Sequence, residues 1–174
     1  MAGSAHRMKT FRPLACLLPL GLAALSTHAQ GTFTFTNNNQ SKTVPVTDCD
    51  GKPLSGDGYR VEVLVKNPTS GAFVGGLEHI GKDSKWSPLQ PVPLFTGKAA
   101  GIFHAGTVRV PFIPPGKEAI LRIRVWQVSS GADFTAASVR GETETTVQLG
   151  GVGNPPSLPT RLTALKGPVV CAAK

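Results

Sequence analysis

The sequence predicts an all-β fold, an antiparallel β-sandwich of immunoglobulin-like type with seven to nine short strands. Apolar and polar residues alternate with a period of two, and no segment longer than about eight residues keeps a helical period. Gly and Pro, with 20 and 15 residues, make up about one residue in five, which shortens elements and favours turns. A hydrophobic fraction of 40% supplies a core and argues against disorder.

Two segments carry the clearest strand pattern. Residues 31–36 alternate Phe33 and Phe35 with threonines, and residues 59–66 place Tyr59 and three valines on one face. Weaker strands are predicted at 43–47, once within 72–91, and at 92–96, 101–105, 142–149, 161–165 and 168–171. Since residues 30–174 number about 145, they are expected to form one domain.

The Pro114-Pro115-Gly116 turn predicts a β-hairpin between residues 107–113 and 117–129. If Ile113 pairs with Glu118, Val110 faces Leu121 and Val108 faces Ile123, so apolar residues meet apolar residues.

A short helix is predicted at residues 132–140. Asp133 would serve as the N-cap, and Gly141 would end the helix.

The N-terminus has the pattern of a secretion signal. A basic stretch is followed by the apolar run 14–25 and by the small residues Thr27 and Ala29, which predicts residues 1–29 as a signal peptide cleaved before Gln30. An apolar run of about 12 residues spans under 20 Å as a helix, against a hydrocarbon core of about 30 Å. We therefore expect a secreted or periplasmic protein with no membrane span in the mature chain.

The charge and the cysteines that remain after cleavage bear on the binding partners and on the disulfide. Cleavage removes three cations and lowers the formal net charge from +8 to about +5, and the remaining cations are scattered, so no nucleic-acid partner is expected. Two cysteines survive, Cys49 and Cys171. In an exported chain they form either one disulfide or two unpaired thiols, and the bridge is favoured because Cys171 would tie down the C-terminal end.

Four stretches together resemble a protein family. They are the signal peptide with Gly31-Thr-Phe-Thr-Phe-Thr-Asn37, Asp50-Gly-Lys-Pro-Leu-Ser-Gly-Asp-Gly-Tyr59, Leu121-Arg-Ile-Arg-Val-Trp126 and Gly150-Gly-Val-Gly-Asn-Pro-Pro-Ser-Leu-Pro159. The chain is similar to the small secreted β-rich proteins of uncharacterised function that environmental bacteria encode in many copies, often with a PEP-CTERM sorting tail. That tail is absent from Gly167-Pro-Val-Val-Cys-Ala-Ala-Lys174, so the resemblance implies release rather than tethering, and it carries over no catalytic residue.

No catalytic or metal-binding motif is found in the sequence. His79 and His104 lie outside any nucleophile elbow or zinc helix, and both are interpreted as ordinary surface or strand residues. Glu142 and Glu144 share a predicted strand face near glycosidase spacing, but that face continues with polar residues and is interpreted as solvated. A loose calcium site at Asp48, Asp50 and Asp57 is the alternative to a glycine-rich turn. We expect no enzyme activity, cofactor or metal.

The expected function is a binding or structural module of the cell surface, periplasm or extracellular matrix. The alternatives are a carbohydrate-binding module, in which Trp86 would stack on a sugar from a loop, and a secreted hydrolase.

The predicted hairpin also places Arg109 opposite Arg122, with Arg124 and Trp126 along the same face. Directly opposed like charges destabilise a sheet, so they need compensation. The compensation is either solvent with nearby carboxylates such as Glu62 or Glu118, or an anionic polysaccharide or cell-surface component held by the arginines, with Trp126 as a stacking surface.

Overall fold

The computed structural model describes residues 30–172, apart from 40–41, 82 and 152–156. The predicted signal peptide lies outside these residues. In the described part of the chain, no helix is long and apolar enough to cross a membrane.

The described residues form 14 strands and two short 3-10 helices, η1 (Gly97–Ala99) and η2 (Val128–Ser130). The five strands of six or more residues are β1 (Gly31–Thr36), β5 (Tyr59–Lys66), β10 (His104–Val110), β11 (Glu118–Gln127) and β12 (Val139–Gln148). The shorter strands are β2 (Asn38–Asn39), β3 (Lys42–Thr43), β4 (Thr47–Asp48), β6 (Phe73–Val74), β7 (Glu78–Ile80), β8 (Trp86–Pro88), β9 (Val92–Pro93), β13 (Thr160–Arg161) and β14 (Val169–Ala172). The predicted count of seven to nine is too low because two-residue pairings leave little alternation in the sequence.

Two sheets pack face to face, which confirms the predicted β-sandwich. The smaller sheet has the order β13-β1-β10-β7-β8, and the larger has the order β4-β14-β12-β11-β5-β6, with β9 also pairing with β5. The long neighbours are antiparallel, whereas the short pairs β1–β13 and β14–β4 are parallel. Strands β2 and β3 form a separate two-stranded ribbon. The immunoglobulin-like assignment stays a prediction.

The core lies between the sheets and is built from the alternating apolar residues of both. Phe33 and Phe35 are fully buried, and the Phe35 ring packs against Phe103 with 4.8 Å between centroids. From the larger sheet, β5 and β11 contribute every second residue, namely Val61, Val63, Val65, Leu121, Ile123 and Val125. Full burial of one such side chain stabilises the fold by about 1.5–3 kcal/mol, so this alternation determines which face of each strand points inward.

The predicted hairpin at Pro114-Pro115-Gly116 is wrong. β10 pairs with β1 and β7 in the smaller sheet, whereas β11 pairs with β12 and β5 in the larger sheet. The connection crosses the end of the sandwich: the Gly31 N–H donates to the Ile113 carbonyl at 2.8 Å, and the Gly116 N–H donates to the Leu149 carbonyl at 2.7 Å. Apolar residues that face each other across a core alternate in the same way as residues paired side by side, so periodicity could not separate the two arrangements.

The predicted helix at 132–140 is also wrong, although its cap forms. The Asp133 Oδ1 atom accepts hydrogen bonds from the backbone N–H groups of Thr135 and Ala136, as an N-cap side chain does. One turn closes when the Ala137 N–H donates to the Asp133 carbonyl at 3.0 Å. The chain then enters β12 at Val139, because pairing with β11 and β14 outweighs one further helical turn.

Cys49 and Cys171 lie together at one edge of the larger sheet. The parallel register pairs Thr47 with Val169 and Asp48 with Val170, which brings Cys49 beside Cys171. Their Cα atoms are 5.6 Å apart and their sulfur atoms are at bonding distance, as predicted.

Candidate functional site

The structure separates the three arginines of the predicted anion site. Arg109 lies on the outer face of the smaller sheet, while Arg122 and Arg124 lie on the outer face of the larger sheet. Arg109 is the direct neighbour of Glu78 on β7, and its Nε donates to Glu78 Oε2 at 2.5 Å. The opposition of Arg109 and Arg122 in the predicted hairpin is therefore wrong.

The outer face of the larger sheet carries a charge ladder, which we define as the rows Glu62–Arg124–Glu142 and Leu64–Arg122–Glu144 across β5, β11 and β12. Arg122 Nη2 lies 2.6 Å from Glu144 Oε1. Arg124 Nε lies 3.2 Å from Glu142 Oε2, and its Nη1 lies 3.7 Å from Glu62 Oε1.

Neighbouring carboxylates therefore neutralise these arginines, which is one of the two compensations that the sequence left open. Glu62 takes part as expected, whereas Glu118 pairs with Gln148 instead. Two aromatic rings add to the same face. The Arg122 guanidinium lies 3.8 Å from the centroid of the Phe73 ring, and the Arg124 guanidinium lies 4.6 Å from that of Phe134. Ligand binding by the arginines stays a prediction, but the charge ladder does not require it.

The position of Glu62 in this ladder displaces the pKa of its carboxyl. Burial of the half-buried side chain raises its pKa above the ordinary value, while the nearby Arg124 guanidinium acts in the opposite direction and Asp133 adds to the rise. The ionised form of Glu62 is thus disfavoured by desolvation more than it is favoured by its ion pair.

Trp126 is not the predicted stacking surface. It lies between Arg60 and Arg140 on the outer face, yet it is only 4% exposed. The turn segment 131–138 lies over this end of the sheet, where Arg140 Nη1 donates to the carbonyls of Phe134 and Thr135. The indole Nε1 atom is buried and has no hydrogen-bond partner among the described residues.

Trp86 does not lie in a loop as predicted. It begins β8, pairs with Ile80 and is half-buried. The guanidinium of Arg109 lies over its ring, 4.6 Å from the centroid, so one face of the indole is already occupied.

The outer face of the smaller sheet bears a cleft that the sequence did not reveal. Thr34 points outward because Phe33 and Phe35 point into the core. Thr36 follows an irregularity in the strand register, and it is buried at the edge of the cleft, where its hydroxyl donates to the Phe103 carbonyl at 2.9 Å. The register sets Arg161 of β13 beside Thr34, and His104 of β10 beside Thr36.

One wall of this first cleft is the ring of Phe95, which is 43% exposed. The backbone N–H of Phe95 donates to the Ile102 carbonyl at 2.8 Å, which fixes this wall of the cleft. The cleft has a volume of about 470 Å³.

A second cleft of about 480 Å³ adjoins the first. Both include His104, and the second continues between the end of β7 at His79 and Ile80 and the segment 89–93. We call the two clefts together the outer groove. None of the described residues in its lining is an aspartate or glutamate, in contrast to two clefts on the larger sheet, one of which includes Glu62 and the other Glu142.

Arg161 differs from the other arginines that the structure describes, because its side chain has no partner among the described residues. Arg109, Arg122 and Arg124 bind carboxylates, and the side chains of Arg60 and Arg140 donate to backbone carbonyls. For Arg161, none of the described residues provides an ion pair or a side-chain hydrogen bond. Its exposed guanidinium is therefore available to an external acceptor.

Residues with potential for catalysis are brought together at one point. Ser87 Oγ lies 3.2 Å from His79 Nε2, as a nucleophile and a general base would. The adjacent carboxylate, Glu78, is bound to Arg109, and no described carboxylate orients the imidazole of His79. Glu142 and Glu144 are each bound to an arginine, so the pair resembles a solvated ion-pair face rather than an acid–base site.

The loose calcium site is not supported by the geometry. Asp48 Oδ1 accepts hydrogen bonds from the N–H groups of Asp50 and Lys52, which is ordinary turn bonding. No group of three or more His, Cys, Asp or Glu residues in the described ranges could hold a metal ion.

Phe95 and Arg161 were missed because neither belongs to a motif. They meet only through the pairing of β1 with β13 and the fold of the segment that follows β9. His104 was interpreted as an ordinary residue, and its place between the two clefts follows from strand register alone. The chain matches no protein-family model, no curated protein and no solved structure.

Proposed function

We propose that the protein is an exported, non-enzymatic binding module of the cell surface, periplasm or extracellular matrix, and that it binds carbohydrate in the outer groove. The observation that carries the proposal is the combination of an exposed aromatic ring, Phe95, with the unpartnered guanidinium of Arg161 in one open cleft. A ring and a few fixed polar groups are the usual components of a small-molecule site.

Export is supported by the signal-like N-terminus and by the position of the two cysteines. A disulfide persists in oxidising compartments, and Cys49 and Cys171 lie at disulfide distance.

The groove is favoured over the charge ladder because its polar groups have fewer partners within the protein. On the larger sheet, a ligand would have to displace carboxylates from Arg122 and Arg124. On the smaller sheet, Arg161 and His104 are exposed, and the described residues that line the groove include no carboxylate.

A glycan array probed with the mature chain tests the proposal, with Phe95→Ala as the site variant. Phe134→Ala is the matched control because Phe134 lines a cleft of about 490 Å³ on the opposite sheet. We expect Phe95→Ala to lose binding and Phe134→Ala to retain it, with both variants folded by circular dichroism. Retention by Phe95→Ala, or loss by Phe134→Ala alone, would place the site elsewhere.

A secreted hydrolase is the second candidate, favoured by the contact between Ser87 and His79. A fluorophosphonate probe that labels the wild type but not Ser87→Ala would support it. Equal labelling of both proteins, or labelling of neither, would remove that support.

A further inference from the structure

We infer that the outer groove binds a linear polysaccharide of acidic sugars, with neighbouring disaccharide units in its two clefts. This inference rests on the proposed function and specifies its ligand. It requires three properties of the groove: an unopposed positive charge, a surface for stacking, and length.

The charge comes from Arg161. A guanidinium binds a carboxylate through two parallel hydrogen bonds, which is the strongest neutral-pH contact that a protein surface offers to a uronic acid. Four of the protein's own carboxylates are bound elsewhere, three in the ladder and one on Arg109. None of the described residues that line the groove is an aspartate or glutamate. Asp83 lies beside Gly81 at the border of the second cleft, so the carboxylate contact is assigned to the first cleft, beside Arg161.

The stacking surface is Phe95, which lines the same cleft as Arg161. A sugar ring placed on the phenyl ring would keep its carboxylate near the guanidinium and its hydroxyl groups near Thr34 and Asn38. The threonine beside Arg161 comes from the adjacent strand, so these donors are fixed by the sheet rather than by a free loop.

The length comes from His104, which borders both clefts. Each cleft falls within the roughly 300–1,000 Å³ typical of small-molecule sites, so together they exceed the needs of one sugar. The second cleft adds the polar side chain of Gln90 and the apolar side chains of Ile80 and Val92, which offer polar and apolar contacts to the following disaccharide unit.

The test measures dissociation constants for galacturonate oligomers by calorimetry, using dimers and hexamers, with neutral galactose oligomers of equal length as the comparison. We expect the hexamer to bind at least about tenfold more tightly than the dimer, and acidic chains more tightly than neutral ones. Added salt should weaken only the acidic series.

Three variants assign the contacts. Arg161→Gln should lose about tenfold or more in affinity for acidic chains, whereas Lys117→Gln, which removes one charge from the connection at the other end of β10, should not. Gln90→Ala should reduce hexamer binding and leave dimer binding unchanged.

The outcomes separate the inference from the proposed function. Equal affinity for acidic and neutral chains, with loss in Phe95→Ala, overturns the acidic specificity and leaves the binding module in place. Equal affinity for dimers and hexamers overturns the two-cleft arrangement. Absence of binding to every chain overturns the carbohydrate function as well.

Discussion

Arg109 and Glu78 face each other across β10 and β7, joined by a charge-assisted hydrogen bond of 2.5 Å. Arg109 also covers the ring of Trp86 on β8, so one side chain contacts both strands, β7 and β8, that follow β10 in the smaller sheet. The backbone pairing between β10 and β7 covers only Val108 and Arg109. The guanidinium therefore adds a side-chain attachment where the ladder of backbone hydrogen bonds is short.

A double-mutant cycle on Arg109 and Glu78 should show favourable coupling of about 0.5 kcal/mol, because both ends are partly exposed and water screens the pair. The variants are Arg109→Gln and Glu78→Gln, with unfolding free energies from urea denaturation. The control cycle combines Arg109→Gln with Arg122→Gln, which should be additive because the residues lie in different sheets. Coupling between the two arginines would instead support the hairpin that the structure excludes.

Strand alternation allowed the faces of the long strands to be predicted. β5 has the predicted bounds, and the inward positions of Val61, Val63 and Val65 follow from burial of every second residue. The faces of β12 were also predicted, since Val147 is buried and Glu142 and Glu144 are exposed. These properties depend only on residues close together in sequence.

Sheet membership could not be predicted in this way. Val108 and Val110 satisfy the alternation whether β10 lies beside β11 or across the core from it. The candidate site depends on the same missing information, since Phe95 and Arg161 meet only after the strand order is set. The three arginines were predicted to share one face because alternation alone favoured a hairpin between β10 and β11. In the structure their partners are glutamates on other strands.

Trp126→Ala should lower the unfolding free energy by about 3 kcal/mol or more, because the indole is only 4% exposed and its removal leaves a cavity. Trp126→Phe should cost less, since it keeps most of the packing and removes a buried N–H that has no described partner. Trp86→Ala, at a half-buried edge position, should cost less than Trp126→Ala. Urea denaturation measures the unfolding free energy of all three variants. Equal decreases for the two alanine variants would mean that Trp126 is no more buried than Trp86.

Expression of the full chain in a bacterial host should yield an exported protein that begins at Gln30. The small residues Thr27 and Ala29 suit the minus-three and minus-one positions of signal peptidase, so Ala29→Phe should retain the uncleaved precursor. N-terminal sequencing of the exported fraction provides the measurement, and Gln30→Ala, which leaves both small residues in place, is the control. A mature chain beginning upstream of Leu25 would refute the predicted site.

Glu62 should make the protein less stable as the pH rises from acid to neutral. Its folded-state pKa is raised above the ordinary value of 4.5 by burial, so its contribution is fully present below that value and is lost as the pH passes the folded-state pKa. The Glu62→Gln variant stays neutral, so its stability relative to the wild type should increase over this range.

Unfolding free energies at pH 4 to 7 measure the difference, with Glu144→Gln as a control at an exposed carboxylate bound to Arg122. That control removes a carboxylate that is exposed and bound to an arginine, so it separates the effect of burial from the loss of an ion pair. A Glu62→Gln variant that became relatively less stable as the pH rose would mean that the attraction of Arg124 outweighs desolvation.

Removal of the Cys49–Cys171 bridge should lower the unfolding free energy by at most about 5 kcal/mol, the chain-entropy value for a loop of this length. The two residues are 122 positions apart, so the bridge restricts most of the unfolded mature chain. The bridge also joins the residue that directly follows β4 to a residue near the end of β14, and these two strands pair over two residues only, so we expect that edge of the larger sheet to open first when the bridge is removed.

The double variant Cys49→Ser with Cys171→Ser should therefore speed amide exchange at Thr47 and Val170 more than at Val63 and Ile123, which lie on central strands. Mass spectrometry of the exported wild type should find both thiols blocked against alkylation, and two free thiols there would contradict the bridge.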